Sequence, residues 1–242
     1  NDGRSGEKIW YSTNGIRWTA STGTPFGTTA GNSPFSFAYG NGRWVVGGSD
    51  VGGAGGVLWY SDNGKSWSEA NHPFSTSGNI VWDVKYYGGL FVAGGVFQTG
   101  GTVLAYSTDG ITFTAAEGLG TLSVGYYIDN VMPPLDGYWL ANGTDGTDGL
   151  VYRSEDGMTW TNVTPDTFFP GASGLARGHS WGKVDRGKTY RAVVTGSTAV
   201  ENSNIYWTDD GETWNQVSDT LIGAGSVNGT SGLEVFWAPT PV

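Results

Sequence analysis

Short β-rich runs recur along this chain, each closed by the same kind of polar turn. Ile9-Trp10-Tyr11, Leu58-Trp59-Tyr60, Leu104-Ala105-Tyr106, Val151-Tyr152-Arg153 and Ile205-Tyr206-Trp207 have the bulky, aromatic character of strands. Directly after them stand Ser12-Thr13-Asn14-Gly15-Ile16-Arg17-Trp18, Ser61-Asp62-Asn63-Gly64-Lys65-Ser66-Trp67, Ser107-Thr108-Asp109-Gly110-Ile111-Thr112-Phe113, Ser154-Glu155-Asp156-Gly157-Met158-Thr159-Trp160 and Thr208-Asp209-Asp210-Gly211-Glu212-Thr213-Trp214. In each box the Asp or Asn can fold its side chain onto nearby backbone N–H groups, the Gly accepts positive φ, and the hydroxyl adds a further local bond. The box therefore predicts a tight turn between two antiparallel strands, covered by its closing aromatic.

A second pattern falls between the boxes. Tyr39-Gly40-Asn41-Gly42-Arg43-Trp44-Val45-Val46-Gly47-Gly48 is echoed by Tyr87-Gly88-Gly89-Leu90-Phe91-Val92-Ala93-Gly94-Gly95, by Asp136-Gly137-Tyr138-Trp139-Leu140-Ala141-Asn142-Gly143, and more faintly by 186–194. Asn-Gly or Gly-Gly between β-rich runs signals a hairpin. Each repeat then holds four short strands, with this hairpin between the first and second and the box between the third and fourth.

The box glycines fall at 15, 64, 110, 157 and 211, in steps of 49, 46, 47 and 54 residues. Thirty-one residues follow Gly211 and fifteen run up to Gly15, so the two ends together supply one more step of 46. A ring of four-stranded blades predicts such closure, whereas an open solenoid does not. The expected fold is all-β: one domain over 1–242, a five-bladed β-propeller of four-stranded antiparallel blades. One blade would close the ring, taking its third and fourth strands from 8–20 and its first and second from about 224–238.

Composition narrows the function. The chain has 242 residues, 42 of them Gly, with no Cys and 14% charged residues; 12 Trp, 12 Tyr and 10 Phe supply ample core material despite the glycine. Its net charge of −10 is the opposite of the basic footprint that nucleic acid or anionic lipid requires, so no nucleic-acid partner and no membrane insertion are expected. Absence of Cys excludes disulfide stapling and thiol chemistry. The chain opens on Asn1-Asp2-Gly3-Arg4 with no Met and no apolar signal segment, which suggests a processed product or an excised domain.

The five boxes resemble the Asp-box, or bacterial neuraminidase repeat, of sialidases, xyloglucan-cleaving propellers, sortilin-type receptors and phage and secreted bacterial propellers. Every copy is one residue shorter than the common form, Ser-x-Asp-Gly-x-x-Trp in place of Ser-x-Asp-x-Gly-x-x-Trp. In proteins of this kind the box is a peripheral structural turn, so the resemblance implies a fold and leaves function open.

Sialidases of this fold hold the substrate carboxylate with three arginines from different blades and use a Tyr/Glu nucleophile pair with a separate acid/base. Of the seven arginines here, Arg17, Arg43, Arg153 and Arg186 belong to boxes or hairpins, Arg4 lies in the terminal tail, and Arg177 and Arg191 share one repeat. No triad can be assembled. Other glycosidases need two carboxylates about 5 to 9.5 Å apart. The inner strands supply only Asp83 and Asp129, which stand 6 and 8 residues before their hairpin glycines and so out of register. Two histidines, His72 and His179, offer no metal-ligand spacing, and Thr144-Asp145-Gly146-Thr147-Asp148-Gly149 suits tight turns better than a Ca²⁺ loop. No catalytic residue, metal or cofactor is expected.

Hairpins and boxes fall on one face of such a ring; the connections on the other face vary in length and chemistry, where binding usually sits. There Asn71-His72-Pro73-Phe74 and the loop bearing Asp145 and Asp148 place an aromatic near polar groups, as sugar recognition needs. A Pro-Phe pair would equally plug the gap between neighbouring blades. Trp82 and Trp181 lie on inner strands without counterparts in every repeat, beside Asp83 and His179. The expected ligand-binding set is therefore Trp82, Asp83, His179, Trp181, His72, Phe74, Asp145 and Asp148. The expected function is a non-catalytic, lectin-like module that binds a glycan or other cell-surface receptor, at an extracellular or virion surface. Other chains of a virion or a larger parent polypeptide are further expected partners. A hydrolase of unusual layout and a purely architectural protein are the alternatives.

Overall fold

A computed structural model describes residues 9–27, 31–50, 57–74, 79–96, 102–123, 125–134, 137–166, 168, 175–184, 189–197 and 205–217; of these, 50, 79, 175–184, 189, 190, 196 and 197 are described by backbone alone. All its regular elements are strands. β1 (Trp10–Tyr11) and β2 (Thr19–Ala20) form a two-stranded pair. Four antiparallel meanders follow. They are β3 (Ser33–Gly40), β4 (Arg43–Asp50), β5 (Leu58–Ser61) and β6 (Ser68–Glu69); β7 (Asn79–Tyr87), β8 (Leu90–Gly95), β9 (Leu104–Ser107) and β10 (Thr114–Ala115); β11 (Tyr127–Met132), β12 (Trp139–Thr144), β13 (Gly149–Ser154) and β14 (Thr161–Asn162); and β15 (Leu175–Val184), β16 (Thr189–Ser197), β17 (Ile205–Thr208) and β18 (Asn215–Gln216). The first two meanders are also joined through β4 and β7 at Ser49↔Ile80 and Asp50↔Asn79.

Local chemistry sets the turns. Asn41-Gly42 and Gly88-Gly89 all take positive φ, the requirement of two-residue hairpin turns that match strand twist. All five boxes fold alike. The glycine N–H donates to the leading hydroxyl, as Gly64 does to Ser61 Oγ at 2.8 Å, and the next two N–H groups donate to the Asx oxygen, as Lys65 and Ser66 do to Asn63 Oδ1 at 2.8 and 2.9 Å. The copies led by Ser12, Ser107, Ser154 and Thr208 repeat this set.

Where the box acid is Asp, desolvation disfavours its charge, but the donated backbone bonds outweigh it; Asp109 and Asp156 are held below the usual carboxylate range and Asp210 is held at about 2. A depressed native pKa stabilises the fold above the unfolded value of 3.8, and that contribution is lost as pH falls toward about 2. Asn14 and Asn63 fill the same role without titrating. Replacing Asp109, Asp156 and Asp210 together by Asn should therefore leave the neutral fold intact and flatten the loss of stability between pH 4 and 2, measured by thermal melts across pH. An unchanged acid profile would remove these carboxylates from the acid response.

The core lies between consecutive meanders. Side-chain parity divides β8 between two layers: Phe91 and Ala93 pack with Val45, Val81 and Val84, while Leu90 and Val92 pack with Ile128, Val131 and Trp139. Both faces of such a strand are buried, which is why Leu90-Phe91-Val92-Ala93 reads as an unbroken apolar run. A third layer joins Met132, Leu140 and Val151 to Ala192, Val194 and Tyr206. Gly47 and Gly94 let the sheets approach, since a Cβ at Gly47 would press on Val81 and Val84 and one at Gly94 on Ile128 and Val131.

Main-chain staples close three junctions at their outer edges. Thr22 N–H donates to Lys65 O and its carbonyl accepts from Trp67 N; Asn71 does the same with Ile111 and Phe113, and Glu117 with Met158 and Trp160, at 2.8 to 3.0 Å. Each staple holds the segment after one meander's last strand against the next meander's box. Residues 218–242, to which the sequence assigns ring closure, lie outside the described residues.

Candidate functional site

The first strand of every meander carries a bulge at the same place. Register skips Phe35 in β3, Trp82 in β7, Asp129 in β11 and Arg177 in β15. The residue before each skip pairs with a glycine: Gly48, Gly95, Gly143 and Gly196. Glycine is needed because a Cβ at Gly48, Gly95 or Gly143 would collide with the carbonyl of Ser33, Ile80 or Tyr127. The bulge re-aims the extra residue. As a result, Phe35 and Trp82, from neighbouring meanders, meet with ring centroids 4.8 Å apart at 31°.

Trp82 is half-buried, its Nε1 has no hydrogen-bond partner among the described residues, and Phe35 is 45% exposed. Asp129 occupies the matching place on the next meander, and Arg177 does so by backbone position. Sequence spacing alone made Asp83 and Asp129 counterparts out of step; the extra residue in each first strand makes Trp82 the counterpart of Asp129.

Asp83 itself is 5% exposed and fully engaged. It accepts from Ser36 Oγ at 2.7 Å, Lys85 Nζ at 2.6 Å and Val131 N at 2.9 Å, tying three adjacent meanders together. A carboxylate held by three donors serves as a structural bridge. Phe74, 3% exposed, packs in the layer between the first two meanders and against Gly95, so its ring has no face left for a sugar. Phe26 and Phe168 are its buried equivalents at other junctions.

His72 is half-buried with its ring 5.9 Å from Phe74, and burial pushes its pKa below the usual imidazole value despite backbone hydrogen bonding. Asp145 and Asp148 close the β12–β13 turn. Thr147 N and Asp148 N donate to Asp145 Oδ1 at 2.8 and 2.7 Å, and Thr144 Oγ1 donates to Asp148 O at 2.7 Å. His179 and Trp181 lie in β15, opposite Val194 and Ala192.

Arginines on the box side are committed to neighbours. Arg43 pairs with Asp62 at 2.7 Å and lies over Tyr60, and Arg191 grips Asp209 through Nε and Nη2 at 2.8 and 3.0 Å over the Trp207 ring. No group of three or more His, Asp or Glu able to hold a metal occurs among the described residues.

No protein-family profile and no curated protein sequence matches this chain. Among solved structures, YCF48 bound to D1 peptide is similar at 16% identity and a TM-score of 0.48, over 84% of this chain and 58% of that one. Trypanosoma rangeli sialidase in complex with sialic acid matches at 16% identity and 0.46, over 90% of this chain and 43% of that one. Phage phi92 endosialidase matches at 14% identity and 0.43, over 76% and 34%. The chain thus spans between about a third and three fifths of the length of these structures, and likenesses this distant assign neither activity nor ligand.

Proposed function

We propose that the chain is a non-catalytic binding module on a five-bladed propeller, recognising a glycan or other cell-surface receptor at an extracellular or virion surface. The observation that carries this reading is the Phe35–Trp82 pair at consecutive bulges, half-open to solvent and followed on the next meander by Asp129. Such a ring pair stacks on the C–H face of a sugar while a carboxylate and an indole N–H hydrogen-bond its hydroxyls. Engagement of Asp83 by three donors, and of Arg43 and Arg191 by box-side carboxylates, supports binding over hydrolysis, because those groups are already neutralised. His179 and Trp181 stand two and four residues past the skipped Arg177 on β15, the register positions of Val84 and Tyr86 on β7, so the counterpart of Trp82 on that strand is Arg177.

Glycan-array binding run beside a generic glycoside-hydrolase screen tests the reading; turnover of any arrayed sugar would favour a hydrolase, and silence in both an architectural role. Trp82→Ala should weaken binding by roughly 1 to 3 kcal/mol with little change in melting. Trp160→Ala, at a fully buried box position, should instead lower the melting temperature. Equal unfolding by the two variants would make Trp82 a core residue.

A further inference from the structure

The junction between the β11–β14 and β15–β18 meanders lacks the staple that closes the three before it. Thr164 stands two residues past its strand, as Thr22, Asn71 and Glu117 do, but its N–H donates to Asn162 Oδ1 at 2.9 Å. Its hydroxyl turns inward too, accepting from Val151 N at 2.9 Å and lying 3.2 Å from Val151 O. Ala20, Glu69 and Ala115 occupy the position of Asn162 in the stapled junctions, where the amide two residues on crosses to the next box. Asn162 thus captures the donor that would have closed this edge.

What remains is a cavity of about 550 Å³, lined by Arg153, Thr161, Thr164, Pro165, Glu212 and Trp214 among others. Trp67, Phe113 and Trp160 are buried under their staples; Trp214, at the same box position, is half-buried, with its ring centroid 5.5 Å from that of Phe168 and its Nε1 without a partner among the described residues. Arg153 lies over the Tyr138 ring at 4.8 Å, with Nη1 3.3 Å from Glu155 Oε1 and 3.5 Å from Glu212 Oε1.

We propose that this open junction is a second saccharide site, taking one neutral hexopyranose unit. Trp214, half-buried and lining the cavity, offers an apolar platform for the sugar's C–H face. Arg153 and Glu212 set a donor beside an acceptor, the complement of a pair of vicinal hydroxyls, and the Thr161 hydroxyl adds either role. The cavity lies within the range of small-ligand sites, roughly 300 to 1,000 Å³. Two glutamates already meet the Arg153 charge, so no net cation is left for a sialic or uronic carboxylate, and a neutral sugar is selected. The site lies at a box and the outer strands, whereas the bulge pair lies on first strands, so it stands independently of the proposed receptor face.

Saturation-transfer NMR and calorimetry on the full chain, with methyl glycosides of glucose, galactose, mannose and N-acetylglucosamine against N-acetylneuraminic acid, test the site. A neutral glycoside should bind. Glu212→Ala, whose side chain is 64% exposed, should weaken that binding about fivefold or more at an unchanged melting temperature. Trp214→Phe, which keeps an aromatic against Phe168, should weaken it too. The proposal is overturned if no neutral glycoside saturates by roughly 50 mM, if only the acidic sugar binds, or if Glu212→Ala and Trp214→Phe both bind like the parent. Binding abolished by Trp82→Ala alone would return the sugar to the bulge pair. Capture of a synthetic peptide spanning residues 19–26, which form a staple elsewhere in the fold, in place of any saccharide would make the vacancy a peptide site and equally overturn it.

Discussion

Deleting Gly232 to Val242 should abolish cooperative folding of the whole chain. β1 and β2 form only a two-residue ladder, and an isolated two-stranded pair is marginal in water. On the adjacent meander, β3 presents Phe37 and Tyr39 at 46 and 56% exposure, whereas Val84 and Tyr86, at the matching places on β7, pack into the layer beneath them. Among the described residues, no strand covers this face of β3 in the way that β3 covers β7 and β7 covers β11. Leu233, Val235 and Trp237 alternate with Glu234 and Phe236, a strand-like pattern suited to cover it and to pair beside β1. In the proposed ring these residues latch the first blade, so their removal exposes an apolar face and two unpaired edges at once. The expected loss is on the order of the total stability of a domain, about 5 to 15 kcal/mol. Circular dichroism and calorimetry of the truncated chain would decide it; a melt like that of the full chain would sink ring closure.

Phe74→Ala should be the most damaging single substitution among the residues that the sequence marks as ligand contacts. Its ring fills the layer between the first two meanders and covers Gly95, the glycine opposite the β7 bulge. Truncation removes the buried ring and leaves a cavity that the sheets cannot close without moving the bulge, at a cost of about 3 to 5 kcal/mol. For a chain of this size that corresponds to a fall in melting temperature of about 10 °C or more. Ligand affinity of the fraction that remains folded should be unchanged. A small thermal shift with a large loss of affinity would instead put the ring at the ligand.

Local repetition made much of the architecture legible in the sequence. Each box carries its own donors and acceptors within seven residues, so five copies fold alike whatever surrounds them, and Asn-Gly and Gly-Gly fix hairpins by φ alone. Pattern and spacing thus identified four meanders, their strand order and the pair β1–β2. Trp82 stands out in the sequence because it has no counterpart in every repeat.

The sequence by itself could not show which residue of each first strand is extra, because a bulge is a relation between two strands. Only pairing with Gly48, Gly95 and Gly143 brings Phe35 onto Trp82 and sets Asp83 apart as a buried bridge to Ser36, Lys85 and Val131. Nor could it distinguish Phe74 as a plug from Phe74 as a ligand platform, since burial depends on the sheet that packs over it. The open fourth junction follows from a single amide: Asn162 and Thr164 look like ordinary turn residues in the chain, and only the three stapled junctions beside them reveal which contact their hydrogen bonds replace. Short-range hydrogen bonding determined the repeat, and packing between repeats decided where the repeat is broken and left open.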